Sequence, residues 1–300
     1  IGALTSTELQ GLTTTQANAL TAAQLGSLTT TVLNNLTTTQ VTALSTTQAQ
    51  GLTTPQLTGL STANLDALDI CDLSTAQFAG LYTTSITNLT TTQVTNLTST
   101  QVARLTSSQI GALTSTELQG LTTTQANALT AAQLGSLTTT VLNNLTTTQV
   151  TALSTTQAQG LTTTQLNGLS AANLDALDIG ELSTAQVAGL NTTAIGNLTT
   201  TQVSNLTSTQ VARLTSSQIG ALTSTELQGL TTTQANALTA AQIGSLTTTV
   251  LNNLTTTQVT ALSTTQAQGL TTTQLNGLSA ANLDALDISE LSTAQVAGLN

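Results

Sequence analysis

Leu36–Ala43 reads LTTTQVTA, and this eight-residue pattern recurs from one end of the chain to the other. Each octad opens on Leu, and most octads follow it with Thr or Ser, place Gln fifth and place an aliphatic residue sixth. With Thr37 as the N-cap of a helix, Gln40 stands at N3, which completes a Ser/Thr-x-x-Glu/Gln capping box. Leu36 and Val41 then take the N′ and N4 positions of a hydrophobic staple. The octad therefore predicts the start of a helix.

The same register fits neighbouring octads along the chain, among them Leu12–Ala19, Leu44–Gly51, Leu89–Asn96 and Leu97–Arg104. Glu, which the capping box also permits, replaces Gln at Glu8, Glu117 and Glu226.

Each helix is expected to be short, because the next Leu arrives eight residues later with its own cap behind it. The residue before that Leu is often Gly or Asn, as at Gly51, Gly59, Asn88 and Asn96. Gly and Asn tolerate the left-handed conformation that closes many helices. The spacing of start and stop signals predicts about one and a half turns of helix per octad.

Other repeat structures fit the period less well. On a continuous α-helix, an eight-residue period would move the Leu stripe by about 80° per octad, and coiled coils use periods of seven or eleven. On one β-strand, positions 1 and 6 would point to opposite faces. We therefore predict an all-α solenoid with one very short helix per octad, and a β-solenoid stays open as the alternative.

A second repeat is superimposed on the octads. IGALTSTELQ begins at Ile1, Ile110 and Ile219, a period of 109 that contains thirteen octads and one five-residue unit. The large repeats are 1–109, 110–218 and 219–300, and the five-residue units lie at 68–72, 177–181 and 286–290. We predict one continuous, quasi-one-dimensional array, and we interpret the chain as a piece of something longer.

Charge and composition disfavour several function classes. The net charge is −10, charged residues make up 5% of the chain, His is absent, and Arg104 and Arg213 are the basic residues. Nucleic-acid binding and polybasic membrane contact both need clustered Lys or Arg, so we expect neither. Without His, the Ser/His and Cys/His catalytic arrangements cannot form. We expect no enzyme activity, no cofactor, no small-molecule substrate and no transmembrane segment.

Three acidic clusters are the best chemical candidates, and each surrounds a five-residue unit. Their carboxylates, spaced by three, could offer oxygen ligands to Ca²⁺. The alternative is that they cap the short unit and lie near helix starts, where the helix dipole favours negative charge. The candidate ligands are Asp66, Asp69 and Asp72; Asp175, Asp178 and Glu181; and Asp284, Asp287 and Glu290.

Cys71 aligns with Gly180 and Ser289 in the sister repeats. A position that accepts Gly and Ser predicts a surface thiol rather than a core residue or a nucleophile.

The Leu-Thr-x-x-Gln-aliphatic pattern resembles the Thr/Leu-rich octad tracts of long bacterial surface, secreted or filament-forming proteins. The Leu-Thr-Thr-Pro-Gln-Leu stretch at Leu52–Leu57 is also similar to the helix start of TAL-effector repeats, although it shares only the capping device with them. The first resemblance implies an extracellular rod, stalk or filament body that is able to self-associate. A Ca²⁺-dependent adhesin or binding module is the alternative, and the rows of Thr also admit ice binding.

Overall fold

The computed structural model describes residues 4–300. The chain divides into two compact units, Ile1–Gln157 (unit 1) and Ala158–Asn300 (unit 2). Over residues 4–300 each unit is built of short helices and contains no β-strand. The prediction of an all-α repeat fold is therefore confirmed, and the β-solenoid alternative is wrong. The division falls inside one helix (Thr155–Gly160), and the single continuous array stays a prediction.

Unit 1 contains one 3₁₀ turn, η1 (Ile70–Asp72), which lies between α8 and α9. Its short helices are numbered in chain order, and the last of them, α19, contains the division between the two units. They are α1 (Ser6–Gln10), α2 (Thr14–Asn18), α3 (Ala22–Gly26), α4 (Thr30–Leu33), α5 (Thr38–Thr42), α6 (Thr46–Gln50), α7 (Thr54–Thr58), α8 (Thr62–Ala67), α9 (Thr75–Ala79), α10 (Thr83–Thr87), α11 (Thr91–Asn96), α12 (Ser99–Val102), α13 (Ser107–Ala112), α14 (Ser115–Gly120), α15 (Thr123–Ala128), α16 (Ala131–Ser136), α17 (Thr139–Leu142), α18 (Thr147–Thr151) and α19 (Thr155–Gly160).

Unit 2 continues the numbering and contains two 3₁₀ turns, η2 (Ile179–Glu181) and η3 (Ile288–Glu290). Its helices are α20 (Thr163–Asn167), α21 (Ala171–Ala176), α22 (Thr184–Ala188), α23 (Thr192–Gly196), α24 (Thr200–Asn205), α25 (Ser208–Val211), α26 (Ser216–Ala221), α27 (Ser224–Gly229), α28 (Thr232–Ala237), α29 (Ala240–Ser245), α30 (Thr248–Asn252), α31 (Thr256–Thr260), α32 (Thr264–Gly269), α33 (Thr272–Gly277), α34 (Ala280–Ala285) and α35 (Thr293–Ala297).

The capping box starts these helices as the sequence predicts. At α5, the Gln40 N–H donates to Thr37 Oγ1 at 3.2 Å, and the Thr37 N–H donates to Gln40 Oε1 at 2.8 Å. These reciprocal bonds satisfy donors that every helix start leaves without an intrahelical partner. The resulting helices are four to six residues long, as the octad spacing indicates.

The helix ends differ from the prediction. No residue in the described part of the chain has a positive φ, and Gly51 ends α6 at φ −78° and ψ −15°. Asn96 is itself helical, and the following Leu97 turns to ψ 137°. The expectation of left-handed closure at Gly51, Gly59, Asn88 and Asn96 is therefore wrong. Because the extended Leu at each octad start redirects the chain, no left-handed residue is needed.

Three octads complete one turn of the repeat in each unit. Helices pack on the helix three places further along, as α2 on α5 and α12 on α15 in unit 1, and α24 on α27 and α29 on α32 in unit 2. We call three consecutive octads a coil, and we call a series of helices packed three apart a column. The sequence alone left the number of octads per coil undecided.

The five-residue units replace one helix of a coil. In unit 1, η1 packs on α6 and on α11; in unit 2, η2 packs on α24 and η3 on α32. Asp69 caps η1, since its Oδ1 accepts the Cys71 N–H at 3.0 Å. The short unit therefore forms a shorter corner without interrupting the stack.

Leu at position 1 and the aliphatic residue at position 6 form the core. Leu36 and Val41 are each 4% exposed, and Ile110, Leu134 and Val203 are fully buried. Burying one such side chain contributes about 1.5–3 kcal/mol. Because a helix of five or six residues is unstable alone in water, this burial between coils is what allows each helix to persist.

Some glycines permit neighbouring coils to approach closely. A Cβ built on Gly26 in α3 would lie 2.6 Å from the backbone oxygen of Gly51 in the next coil. Gly111 in α13 differs, because a Cβ there meets no atom within 4 Å. The two positions are both helical and differ in the space around them.

We predict opposite effects of Ala at these two glycines. Gly111→Ala should raise the free energy of unfolding by about 0.5–1 kcal/mol, because Ala favours the helix and meets open space. Gly26→Ala should lower it by about 1–3 kcal/mol, because the methyl group collides with backbone. Urea unfolding followed by far-UV circular dichroism measures both, and the same sign for both variants would contradict the close approach.

Candidate functional site: the coil-to-coil interface

The Gln of the capping box also connects successive coils. While Gln40 Oε1 accepts the Thr37 N–H, Gln40 Nε2 donates to the Leu9 and Leu12 carbonyl oxygens at 2.8 and 2.7 Å. Leu9 lies in the last turn of α1, in the preceding coil, where helix carbonyls have no intrahelical partner. One carboxamide therefore caps the start of its own helix and the end of another. We call this arrangement the glutamine clamp.

The clamp follows a fixed spacing along each unit. Its carbonyl acceptors lie 31 and 28 residues earlier, as for Gln149 with Leu118 and Leu121. Where a five-residue unit intervenes, the acceptors lie 28 and 25 residues earlier, as for Gln186 with Ala158 and Leu161. The decrease of three residues is the difference between an octad and the short unit. The short unit therefore keeps the clamps in register.

Further clamps have the same donor and the same two classes of acceptor. In unit 1 they are made by Gln48, Gln56, Gln77, Gln93, Gln101, Gln109, Gln125, Gln133 and Gln157. In unit 2 they are made by Gln202, Gln210, Gln218, Gln234, Gln242, Gln258, Gln266, Gln274 and Gln295.

The clamping amides are buried, so their hydrogen bonds matter for stability. Gln101 and Gln149 are 1% and 2% exposed, and both ends of each amide are paired. A hydrogen bond contributes about 0.5–1.5 kcal/mol net, whereas a buried polar group left without its partner costs about 1–3 kcal/mol. Loss of one clamp is therefore expected to weaken the contact between two coils.

A second link lies at the surface and points toward the following coil. Asn34 Nδ2 donates to the Gly59 carbonyl oxygen at 2.9 Å, while Asn34 Oδ1 accepts the Ser61 N–H at 2.8 Å. In unit 2, Asn252 makes the matching pair with Gly277 and Ser279. These amides bond to backbone on either side of an octad boundary.

Sequence reasoning identified Gln40 as a cap and missed its second role. A capping box accepts Glu as readily as Gln, yet most octads carry Gln and only those of Glu8, Glu117 and Glu226 carry Glu. That preference was the available signal, because only the carboxamide has N–H groups to donate at the far end.

One Asp of each predicted acidic cluster is placed as a cap. Asp69, Asp178 and Asp287 each accept the backbone N–H two residues later, at 3.0, 3.0 and 2.9 Å. Hydrogen bonds from the Ser289 hydroxyl and N–H also lower the pKa of Asp287 below its usual value. Asp72 instead accepts the Thr46 hydroxyl at 2.7 Å.

The calcium hypothesis remains untested. Within residues 4–300, the structure brings together no group of three or more His, Cys, Asp or Glu side chains that could hold a metal ion. Asp66, Asp175 and Asp284 lie on helices and are exposed, and Glu181 and Glu290 end their 3₁₀ turns. Calcium binding stays a prediction, and the hydrogen bonds that Asp69, Asp178 and Asp287 accept support the capping role for these three residues.

Cys71 is half-buried at the corner formed by η1. Its thiol donates to the Asn96 carbonyl oxygen at 2.6 Å. Burial, followed by the negative charge of the neighbouring Asp69, raises the pKa of the Cys71 thiol to about 11. The thiol is therefore protonated at neutral pH, which fits the unreactive surface thiol that the sequence predicts.

Tyr82 departs from the octad pattern. It holds the N-cap position of α10 without a side-chain capping bond, and its side chain is 66% exposed. Its counterpart in the second repeat, Asn191, caps normally by accepting the Ala194 N–H at 2.7 Å. Tyr82 thus exchanges a cap for an exposed aromatic ring beside Thr83 and Thr84.

Within residues 4–300, none of the helices combines the length and the apolar character that crossing a lipid bilayer requires.

Comparison with known proteins identifies one repeat family. The model of the ALTTAQ repeat family matches residues 171–208 and 211–248, both in unit 2. These stretches contain clamping residues such as Gln186, Gln218 and Gln234. A comparison with curated proteins gives no significant match. The chain is thus similar to a tandem-repeat family over part of its length.

We predict that Cys71 reacts slowly with alkylating reagents at pH 8. Folding disfavours the thiolate, so the reaction rate of the folded chain should rise toward pH 11, whereas an unfolded thiol titrates near 8.5. The same linkage makes folding less favourable as the pH rises from about 8.5 to 11. Alkylation followed by mass spectrometry, with the urea-unfolded chain as control, checks this. An inflection near pH 8.5 in the folded chain would contradict it.

Proposed function

We propose that this chain is a structural repeat segment, the body of a rod, stalk or filament, and not a catalyst. The observation that carries the proposal is the polarity of the clamp. Every clamping Gln donates toward the preceding coil, and the carbonyl oxygens it reaches belong to the end of one helix of that coil and to the Leu that opens the next octad. Each coil therefore offers donors on one side and acceptors on the other.

Such a coil is complementary to a copy of itself. Addition of a further coil creates another interface of the same kind, as expected for a stack governed by nearest-neighbour contacts. The near-identity of the 109-residue repeats supports this reading, because repeats two and three differ over their shared span only at Leu134/Ile243 and Gly180/Ser289. Length is then increased by adding copies, without a change in cross-section.

We further propose an extracellular or cell-surface location and association between copies of the chain. The resemblance to octad tracts of bacterial surface and secreted proteins supports the location. The self-complementary coil supports association, and the low charge of the surface, with 5% charged residues, opposes it only weakly.

Proteins that contain one, two, three and four copies of the 109-residue repeat test the rod. Electron microscopy of single particles should show a long dimension that grows in proportion to copy number at constant width. Particles that widen in every direction would contradict the proposal. Sedimentation velocity over a range of concentrations tests association separately, and a monomer at every concentration would reject the filament and leave the rod or stalk.

A further inference from the structure

The glutamine clamp is missing at matched places in unit 2. In the column α24, α27, α30 and α33, the N3 residues are Gln202, Glu226, Val250 and Gln274. The first and last make the clamp, with donor–acceptor distances as short as 2.7 Å. Glu226 keeps the cap, because its Oε2 accepts the Thr223 N–H at 2.7 Å, but an ionised carboxylate has no N–H to donate.

Val250 has no polar side-chain atom and makes neither half of the arrangement. On this side of the stack, two successive interfaces between coils are thus without the clamp. The carbonyls that a Gln at position 226 would reach, 28 and 31 residues earlier, belong to Leu198 and Ile195.

The other two columns remain clamped across these same coils. One carries Gln210, Gln234 and Gln258, and the other carries Gln218, Gln242 and Gln266, all with their Nε2 groups donated to the preceding coil. The deficit is therefore confined to one side of the stack. A one-sided deficit favours bending, because the clamped sides hold while the free side separates.

Unit 1 repeats the arrangement and shows loose packing beside it. Glu117 Oε2 accepts the Thr114 N–H at 2.7 Å, as Glu226 does with Thr223. Val141 follows Glu117 by 24 residues in the same column. An open groove lies next to Val141, lined in part by Ser107, Gly111 and Thr138. No atom fills the space that a Cβ on Gly111 would point into. In unit 2, the corresponding Gly220 has only Val250 Cγ2 near this space, at 3.9 Å.

We propose that each 109-residue repeat carries a hinge on this side, at Glu117 and Val141 in unit 1 and at Glu226 and Val250 in unit 2. The coils separate along this column by local opening, while the two clamped columns stay closed. Segments held by fewer hydrogen bonds open at lower free energy than their surroundings. The inference concerns motion between coils, so it holds or fails independently of the rod proposal.

Distances between spin labels in the full 300-residue chain test the hinge. In a Cys71→Gly background, labels are attached after Thr201→Cys and Thr249→Cys, two exposed positions two coils apart on the hinge column. The control pair, Thr209→Cys and Thr257→Cys, has the same spacing on a clamped column, and its sites are exposed as well. Pulsed electron paramagnetic resonance should give a broad distance distribution with a longer-distance population for the first pair and a narrow one for the second.

Restoring the clamp should remove the difference. Glu226→Gln with Val250→Gln places in this column the residue that Gln202 and Gln274 already supply, and the longer-distance population of the first pair should be lost. Gln234→Glu should introduce such a population in the control pair. Equal widths for the two pairs in the original sequence, or a first pair unchanged by the two Gln substitutions, would overturn the hinge.

Discussion

A single carboxamide that bonds to two helix ends is the constraint on which the fold depends. Helices of four to six residues leave most of their backbone groups without intrahelical partners. Gln40 supplies an acceptor to the start of α5 and donors to the end of α1 and to the octad that follows it. Because the amide is neutral, many copies can be buried without the desolvation cost that buried charges carry. This fits a chain in which charged residues are rare and buried glutamines are common.

The apolar core tolerates changes of side-chain volume. Phe78 is fully buried at a position where the second repeat has Val187, which is also fully buried. In both repeats the Leu that opens the next octad donates its N–H to this residue's carbonyl oxygen, Leu81 to Phe78 and Leu190 to Val187. Both residues lie directly after a clamping Gln. A change of side-chain volume is therefore tolerated at position 6 when position 5 is kept. Because an aliphatic side chain at position 6 is buried as fully as Phe78, a chain with 1% aromatic residues can form a regular interior.

Local features of the structure could be predicted from the octad, and features that depend on other coils could not. The capping box and the staple lie within six residues, so Thr37, Gln40, Leu36 and Val41 were assigned correctly. The number of octads per coil and the acceptors of Gln40 Nε2 involve residues 28 to 31 positions away, and no local signal encodes them. The prediction of left-handed helix ends was wrong, because Gly51 tolerates that conformation but does not adopt it. A glycine is required at this position because Ala22 of another coil approaches it closely. For the acidic clusters, the spacing was compatible with both a cap and a metal ligand, and Asp69 is held as a cap.

The most direct test compares one substitution in two places with the same local sequence. Gln16 and Gln125 both lie in LTTTQANA and both complete a capping box, but Gln125 is buried and clamps to Leu97 and Thr95. Gln16 is exposed, and within residues 4–300 its amide nitrogen has no acceptor. The free energy of unfolding measured in urea should fall by about 1–3 kcal/mol for Gln125→Glu and by less than about 0.5 kcal/mol for Gln16→Glu. Equal losses for the two variants would contradict the claim that the amide donor holds one coil to the next.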